Sequence, residues 1–140
     1  MAVPPAAAQS TGRAAADGVA DVSRAAGSVL AFGAYLALLG AGLFVSPGGM
    51  LAIFGQPPTQ EPWLRILGVV SFVLGFYYVS AARAEVTPFF RATIGGRALG
   101  AVVFTALVVS GAAPRFVLLM AGLDGAGALW TWSALRRPRT

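Results

Sequence analysis

Asp124 is the residue of this 140-residue chain whose type and setting most invite chemistry, because it stands near the midpoint of a long apolar run from Pro114 to about Leu135. A central aspartate costs about 2.5 to 3.5 kcal/mol on the membrane-insertion scale, whereas each Leu, Ile, Phe or Val returns about 0.3 to 0.6. Phe116, Val117, Leu118, Leu119, Met120, Leu123 and Leu129 roughly cancel that penalty and no more. The carboxyl group must therefore face other helices, be protonated, or find a donor. On helical geometry it shares a face with Val117, Ala121, Ala128 and Thr131, mostly small neighbours that leave space for a partner or a small ligand. The candidate partners are Arg97, Arg65 and the hydroxyls of Ser71, Tyr78 and Thr105. Arg65 also has Glu61 four residues before it, the favourable order for a helical pair. Arg97 lies about two turns inside its own apolar run and can snorkel to the interface. Two readings of Asp124 stay open: a buried packing and hydrogen-bonding residue, or a ligand, ion or proton site. One acid without a second carboxylate or a histidine makes a poor proton relay.

Other chemistries are excluded by composition. The chain has no Cys and no His, which removes thiolate nucleophiles, disulfides, zinc sites, His-ligated haem and imidazole acid–base catalysis. No metal site and no cofactor are expected. Apolar residues make up 57% and charged ones 11%, against roughly 25% charged in soluble domains, so water is not the natural solvent of this chain. The net charge of +5 comes from arginines that flank apolar runs rather than cluster, which argues against nucleic acid as a partner. GLDGAG, at 122–127, has the wrong glycine order and context for a dinucleotide fingerprint.

The elements that would position Asp124 are marked by prolines. Pro62, Pro88 and Pro114 recur every 26 residues, room for one spanning helix of about 20 residues and a turn. The spacing predicts an all-α integral membrane protein, a four-helix antiparallel bundle with spans at about 28–45, 62–83, 88–111 and 114–135. A polar, Ala/Pro-rich tail that is disordered or partly helical fills 1–27, the helical domain 28–137, and a short tail 138–140. In the first tail, Asp17, Asp21 and Arg24 permit a short helix that lies on the membrane or extends the first span, and Arg24 can reach Asp21. The first apolar segment reads as an uncleaved anchor rather than a signal peptide.

Small residues mark where helices should meet. These are Gly33, Ala37 and Gly40 in span one, and Gly68, Ser71, Gly75, Tyr78 and Ala82 in span two, whose bulky Val69, Phe72, Phe76 and Val79 point to lipid. Gly96 and Gly100 form a GxxxG pair in span three. Between spans one and two, SPGGMLAIFGQPP reads as a miniature helix with Ser46 as N-cap, Pro47 at N1, Gly55 at C′ and Pro57 beyond. It is too short to span and nearly all apolar, so it is either a lid over the bundle or a ligand gate.

Orientation follows from the arginines. A cytoplasmic N-terminus puts Arg13, Arg24, Arg83, Arg91, Arg97, Arg136, Arg137 and Arg139 inside and only Arg65 and Arg115 outside, so both termini are expected in the cytoplasm. The terminal RRPRT string can touch anionic lipid headgroups. The strings WLRILG, YYVSAARAE, TPFFRATIGGR and GLDGAGALWTWSALR resemble those of small four-helix bacterial membrane proteins distantly similar to the DoxX-like group. The resemblance covers roughly Val29 to Arg137; it implies four spans and a bacterial inner-membrane location, and supplies no catalytic residues. The expected function is a non-enzymatic membrane module, an accessory subunit or a binder of a lipid-like molecule, either as a homo-oligomer or in a membrane complex. The alternative is a small transporter or membrane enzyme that uses Asp124 with Arg97 or Arg65.

Overall fold

The computed structural model describes residues 6–137, with side chains from residue 24 onward, and every element in it is a helix. They are α1 (Ala6–Val45), α2 (Pro47–Ile53), α3 (Trp63–Arg83), α4 (Thr87–Val109) and α5 (Val117–Arg136). Three of them, α1 through its Arg24–Val45 portion, α3 and α4, are long and apolar enough to cross a membrane. The 22 residues of that first portion rise about 33 Å, against a hydrocarbon core of roughly 30 Å. The terminal tail at 138–140, residues 1–5 and the Asp21–Arg24 pairing lie outside the described residues or side chains.

α1 is longer than the sequence suggests. No proline stands between Pro5 and Pro47, and the Ala-rich segment before Arg24 continues the apolar helix without a break. The helix therefore begins at Ala6 rather than in the 13–24 region. The prolines also sit differently from one another. Pro88 occupies the first turn of α4, Pro62 caps α3, and Pro114 precedes α5 by three residues. Tight i→i−3 bonds from Val117 to Pro114, Leu118 to Arg115 and Leu119 to Phe116 wind up the chain before α5 proper starts.

α2 has both its ends where the sequence marks them. The Ser46 hydroxyl accepts from the Gly49 N–H at 3.3 Å, and Gly55 adopts φ +67°. Gly55 N–H bonds Ala52 C=O and Gln56 N–H bonds Leu51 C=O, each at 3.0 Å, the paired closure that a left-handed residue at C′ allows. Glu85 takes the same role after α3 at φ 50°, with Val86 N–H on Ala81 C=O at 3.0 Å.

Packing is uneven. α1 lies at the centre, pressed along α3 on one side and touching α5 on the other, while α4 and α5 form the second close pair. The buried residues of α3 are Gly68, Ser71, Gly75, Tyr78 and Ala82. At Gly68 and Gly75 an added Cβ would fall within 2.7 Å of α1 backbone atoms, and at Gly40 it would collide with the backbone of α3 at Phe72. Gly33 faces Tyr78 in the same seam. α3 and α4, although joined by a three-residue turn, hardly touch along their length. They meet next to that turn, where Tyr78 and Phe89 pack edge to face at 5.1 Å. The dense core is at this end of the molecule and comprises Ala25, Ala26, Val29, Tyr78, Ala82, Phe90 and Ala134. The outward faces are apolar, with Leu38, Val45, Ile53, Trp63 and Val109 all about 70% exposed or more.

Candidate functional site

Beyond the core, toward α2, the helices part around a cavity of about 620 Å³. All five helices line it: Phe32, Tyr35, Leu36 and Leu39 from α1, Met50 and Phe54 at α2, Leu67, Ser71 and Leu74 from α3, Gly96 and Phe104 from α4, and Met120 from α5 are among its walls. α2 covers its mouth. Met50 sits over Gly42 of α1, and Phe54 stacks on Phe116 ahead of α5 at 4.9 Å with the rings 20° apart. This placement at the cavity end is common to both expectations for the segment, a lid and a ligand gate.

Arg97 and Asp124 are the charged groups on the wall. Arg97 does not snorkel. It turns inward from the middle of α4 and is 4% exposed, because α5 offers a recess at Gly127 that a single methyl group would fill. Its guanidinium lies over the Phe32 ring at 3.8 Å, and Nη1 donates to Thr131 Oγ1 at 3.4 Å. Thr131 Oγ1 is also 2.7 Å from the Ser28 hydroxyl, so one polar chain ties α4, α5 and α1 together. Arg97 Nε is left buried without a partner.

Asp124 is half-buried and projects against Gly100, where an added Cβ would come within 2.8 Å of Oδ2. Neither expected arginine pairs with it. Arg97 is close enough to sense its charge but makes no salt bridge to it, being engaged by Thr131 and Phe32. Arg65 is remote from Asp124; its Nη1 donates to the Phe44 carbonyl at 2.6 Å. Glu61 precedes the helix start, so the helical Glu61–Arg65 pair is replaced by this bond between α3 and α1. Among the described residues the Asp124 carboxylate accepts no hydrogen bond. Ser71 and Tyr78 also line the cavity, and their hydroxyls are likewise without hydrogen bonds.

Two expected residues fall elsewhere. Thr105 is exposed and returns its hydroxyl to Ala101 C=O at 2.7 Å, away from the cavity. Gly96 has open space around its Cα where the GxxxG reading anticipates a helix contact, and only Gly100 of that pair faces another helix. Tyr35, Phe32 and Gly127 are site residues that the sequence reading passed over. Tyr35 is on the cavity wall and near enough to Asp124 for an electrostatic interaction. No signal in the sequence singles out which aromatic of α1 turns inward.

The geometry describes a pocket that is apolar over most of its surface, with a few polar groups converging at mid-depth, the usual form of a small-molecule site. Comparison of the chain with family models, with curated proteins and with solved structures gave no match.

Proposed function

We propose that this protein is a multi-pass membrane protein whose four long helices enclose a binding site for a lipophilic small molecule, and that it acts as a non-enzymatic binding or accessory module. The carrying observation is the 620 Å³ cavity, lined almost wholly by apolar side chains yet bearing Arg97 and Asp124 unpaired with each other. A cavity of this size suits a drug-sized ligand.

Membrane integration is supported by the three long apolar helices and by the large hydrophobic side chains that face outward all round. α5 lacks the hydropathy to span by itself, but it has 20 residues and lies along α4, where its buried Ala121, Gly127 and Ala128 need no lipid. We assign it as the fourth span. Arg97 is buried and drops out of the orientation argument, which still leaves, among the described side chains, five arginines (24, 83, 91, 136, 137) on the side of the α3–α4 turn against Arg65 and Arg115 on the side of α2. That asymmetry favours cytoplasmic termini and an outward-facing α2. The bacterial inner membrane is the location that the DoxX-like resemblance implies.

The test is native mass spectrometry of protein released gently from its membrane. A small molecule retained in stoichiometric amount is the expected result; the same spectrum reports whether the chain is a monomer, a homo-oligomer or part of a complex. A protein that carries nothing and takes up no added lipophile would refute the reading. The unpartnered Asp124 carboxylate favours a second reading, a small transporter or membrane enzyme, and substrate flux or turnover abolished by Asp124→Asn would establish it in place of the first.

A further inference from the structure

Around the cavity α3 packs on α1, α1 on α5 and α5 on α4, whereas α4 and α3 do not close the ring. α3 and α4 touch beside their connecting turn at Tyr78 and Phe89 and hardly at all beyond it. The rim of the gap is formed by Leu67 and Leu74 of α3, which are 50% and 42% exposed while also lining the cavity, and by Gly96 of α4, which is exposed and has no atom within 4 Å of where its Cβ would lie. The other end of the cavity is covered by α2 through the Phe54–Phe116 stack. The α3–α4 side is thus the loosely closed one, whereas the α2 end is held by a ring stack.

The polar groups inside are at mid-helix. Arg97 is the eleventh of the 23 residues of α4, and Asp124 the eighth of the 20 residues of α5. Arg97 sits level with Gly127 and Thr131, while Asp124 sits level with Gly100, one turn nearer α2. Arg97 is 96% buried, lines the cavity, and among the described residues has an Nε–H with no acceptor; the Asp124 carboxyl and the Ser71 and Tyr78 hydroxyls around the same space make no hydrogen bond to a described residue either. A buried donor such as Arg97 Nε is normally satisfied, and with the half-buried Asp124 carboxyl beside the same space it calls for a complementary partner.

Building on the ligand-binding reading above, we infer that the site takes a lipophile with a small uncharged head that both donates and accepts a hydrogen bond, a long-chain alcohol being the simplest example, and that it enters from the bilayer through the gap between α3 and α4. The head has to be uncharged because it reaches mid-depth across hydrocarbon, where a charged group is strongly disfavoured. It has to donate and accept because a guanidinium can only donate, while the Asp124 carboxyl one turn away offers an acceptor oxygen in either protonation state. A hydroxyl can answer both, and the hydrocarbon tail then extends toward the apolar underside of α2, against Leu39, Met50, Phe54 and Phe116.

The experiment compares four chains of equal length, 1-dodecanol, dodecanoate, dodecylammonium and dodecane, added at one mole fraction to the protein in lipid nanodiscs, with occupancy read by native mass spectrometry and by the shift in melting temperature. Dodecanol should occupy the parent at least about tenfold more than either ion or the alkane, and Gly96→Phe, whose new side chain enters open space, should abolish that occupancy without lowering the melting temperature measured in the absence of added chain. Leu74→Trp narrows the gap from the other rim and should slow dodecanol uptake, which keeps the route testable if Gly96→Phe does not fold. Equal retention of dodecanoate or dodecylammonium overturns the uncharged head while leaving the binding reading intact, and equal retention of dodecane overturns the polar recognition. Parent-like uptake in both rim variants overturns the route. A parent that retains none of the four overturns the inference and the binding reading together.

Discussion

Asp124 and Arg97 stand on one cavity wall, yet they are held by different means, and variants should separate them. Arg97 is built into the fold by Thr131, Phe32 and the Gly127 recess. Gly127→Ala should expel the guanidinium from that recess and lower stability by about 1 to 3 kcal/mol. Thermal unfolding in detergent would check this, and in the Arg97→Leu background the same substitution should cost distinctly less, because the two changes act on one contact. Asp124 contributes no hydrogen bond to its neighbours, so Asp124→Asn and Asp124→Leu should both accumulate and melt at or above the parent temperature while losing ligand. A clear drop in melting temperature for Asp124→Asn would show instead that the carboxylate is an ionised structural partner. At this scale the sequence exposes the acid but not its surroundings. An aspartate in an apolar run is conspicuous by type alone, whereas the inward turn of Arg97 depends on a glycine 30 residues later and on an α1 aromatic, and no local spacing records either.

Helix faces are far more legible than side-chain partners, because a stripe of small residues at helical spacing is written within one element. Gly68, Ser71, Gly75, Tyr78 and Ala82 can be read as a seam before any neighbour is known, and they are the buried face of α3. Their worth can be measured. Gly75→Leu would thrust a branched side chain onto the backbone at Gly33 and Ala37, and should cost a few kcal/mol of stability, whereas Gly95→Leu, at a position with open space, should be close to neutral. Equal melting temperatures for the two variants in detergent would contradict a close α1–α3 seam. The ends of elements divide by chemistry. Ser46, Pro47 and Gly55 delimit α2 because each is a residue that a helix terminus selects. The end of α3 gives no such warning, since a glutamate, not a glycine, takes the left-handed position at Glu85. Pro114 misleads in the other direction, because a proline suited to a first turn here belongs to the tighter winding that precedes it.

For the molecule as a whole, hydropathy indicates that it is helical and mostly apolar, but not that its two helix pairs diverge to leave a cavity. That divergence follows from unequal seams. Glycine-to-backbone contact draws α1 and α3 together, while Arg97 and its recess join α4 to α5. The arginine asymmetry sets the remaining expectation, that Gln60 and Thr140 lie on opposite sides of the membrane. Cysteine introduced at each position, the chain having none of its own, should react with a membrane-impermeant maleimide in intact cells at 60 and only after permeabilisation at 140. Labelling of both without permeabilisation would overturn the four-span arrangement.

The anchoring of Arg97 also bears on how the chain is made. Synthesis runs from α1 to α5, so α4 emerges with its guanidinium before Thr131 and the Gly127 recess exist. On the proposed four-span arrangement, the nascent protein would carry an unsheltered charge at mid-membrane during that interval, and α5, burdened with Asp124, would gain by inserting against α4 rather than alone. The last helix would thus complete the one before it, and a chain truncated ahead of Val117 should be recognised as unfinished and degraded, even though the three helices long and apolar enough to cross a membrane are all present.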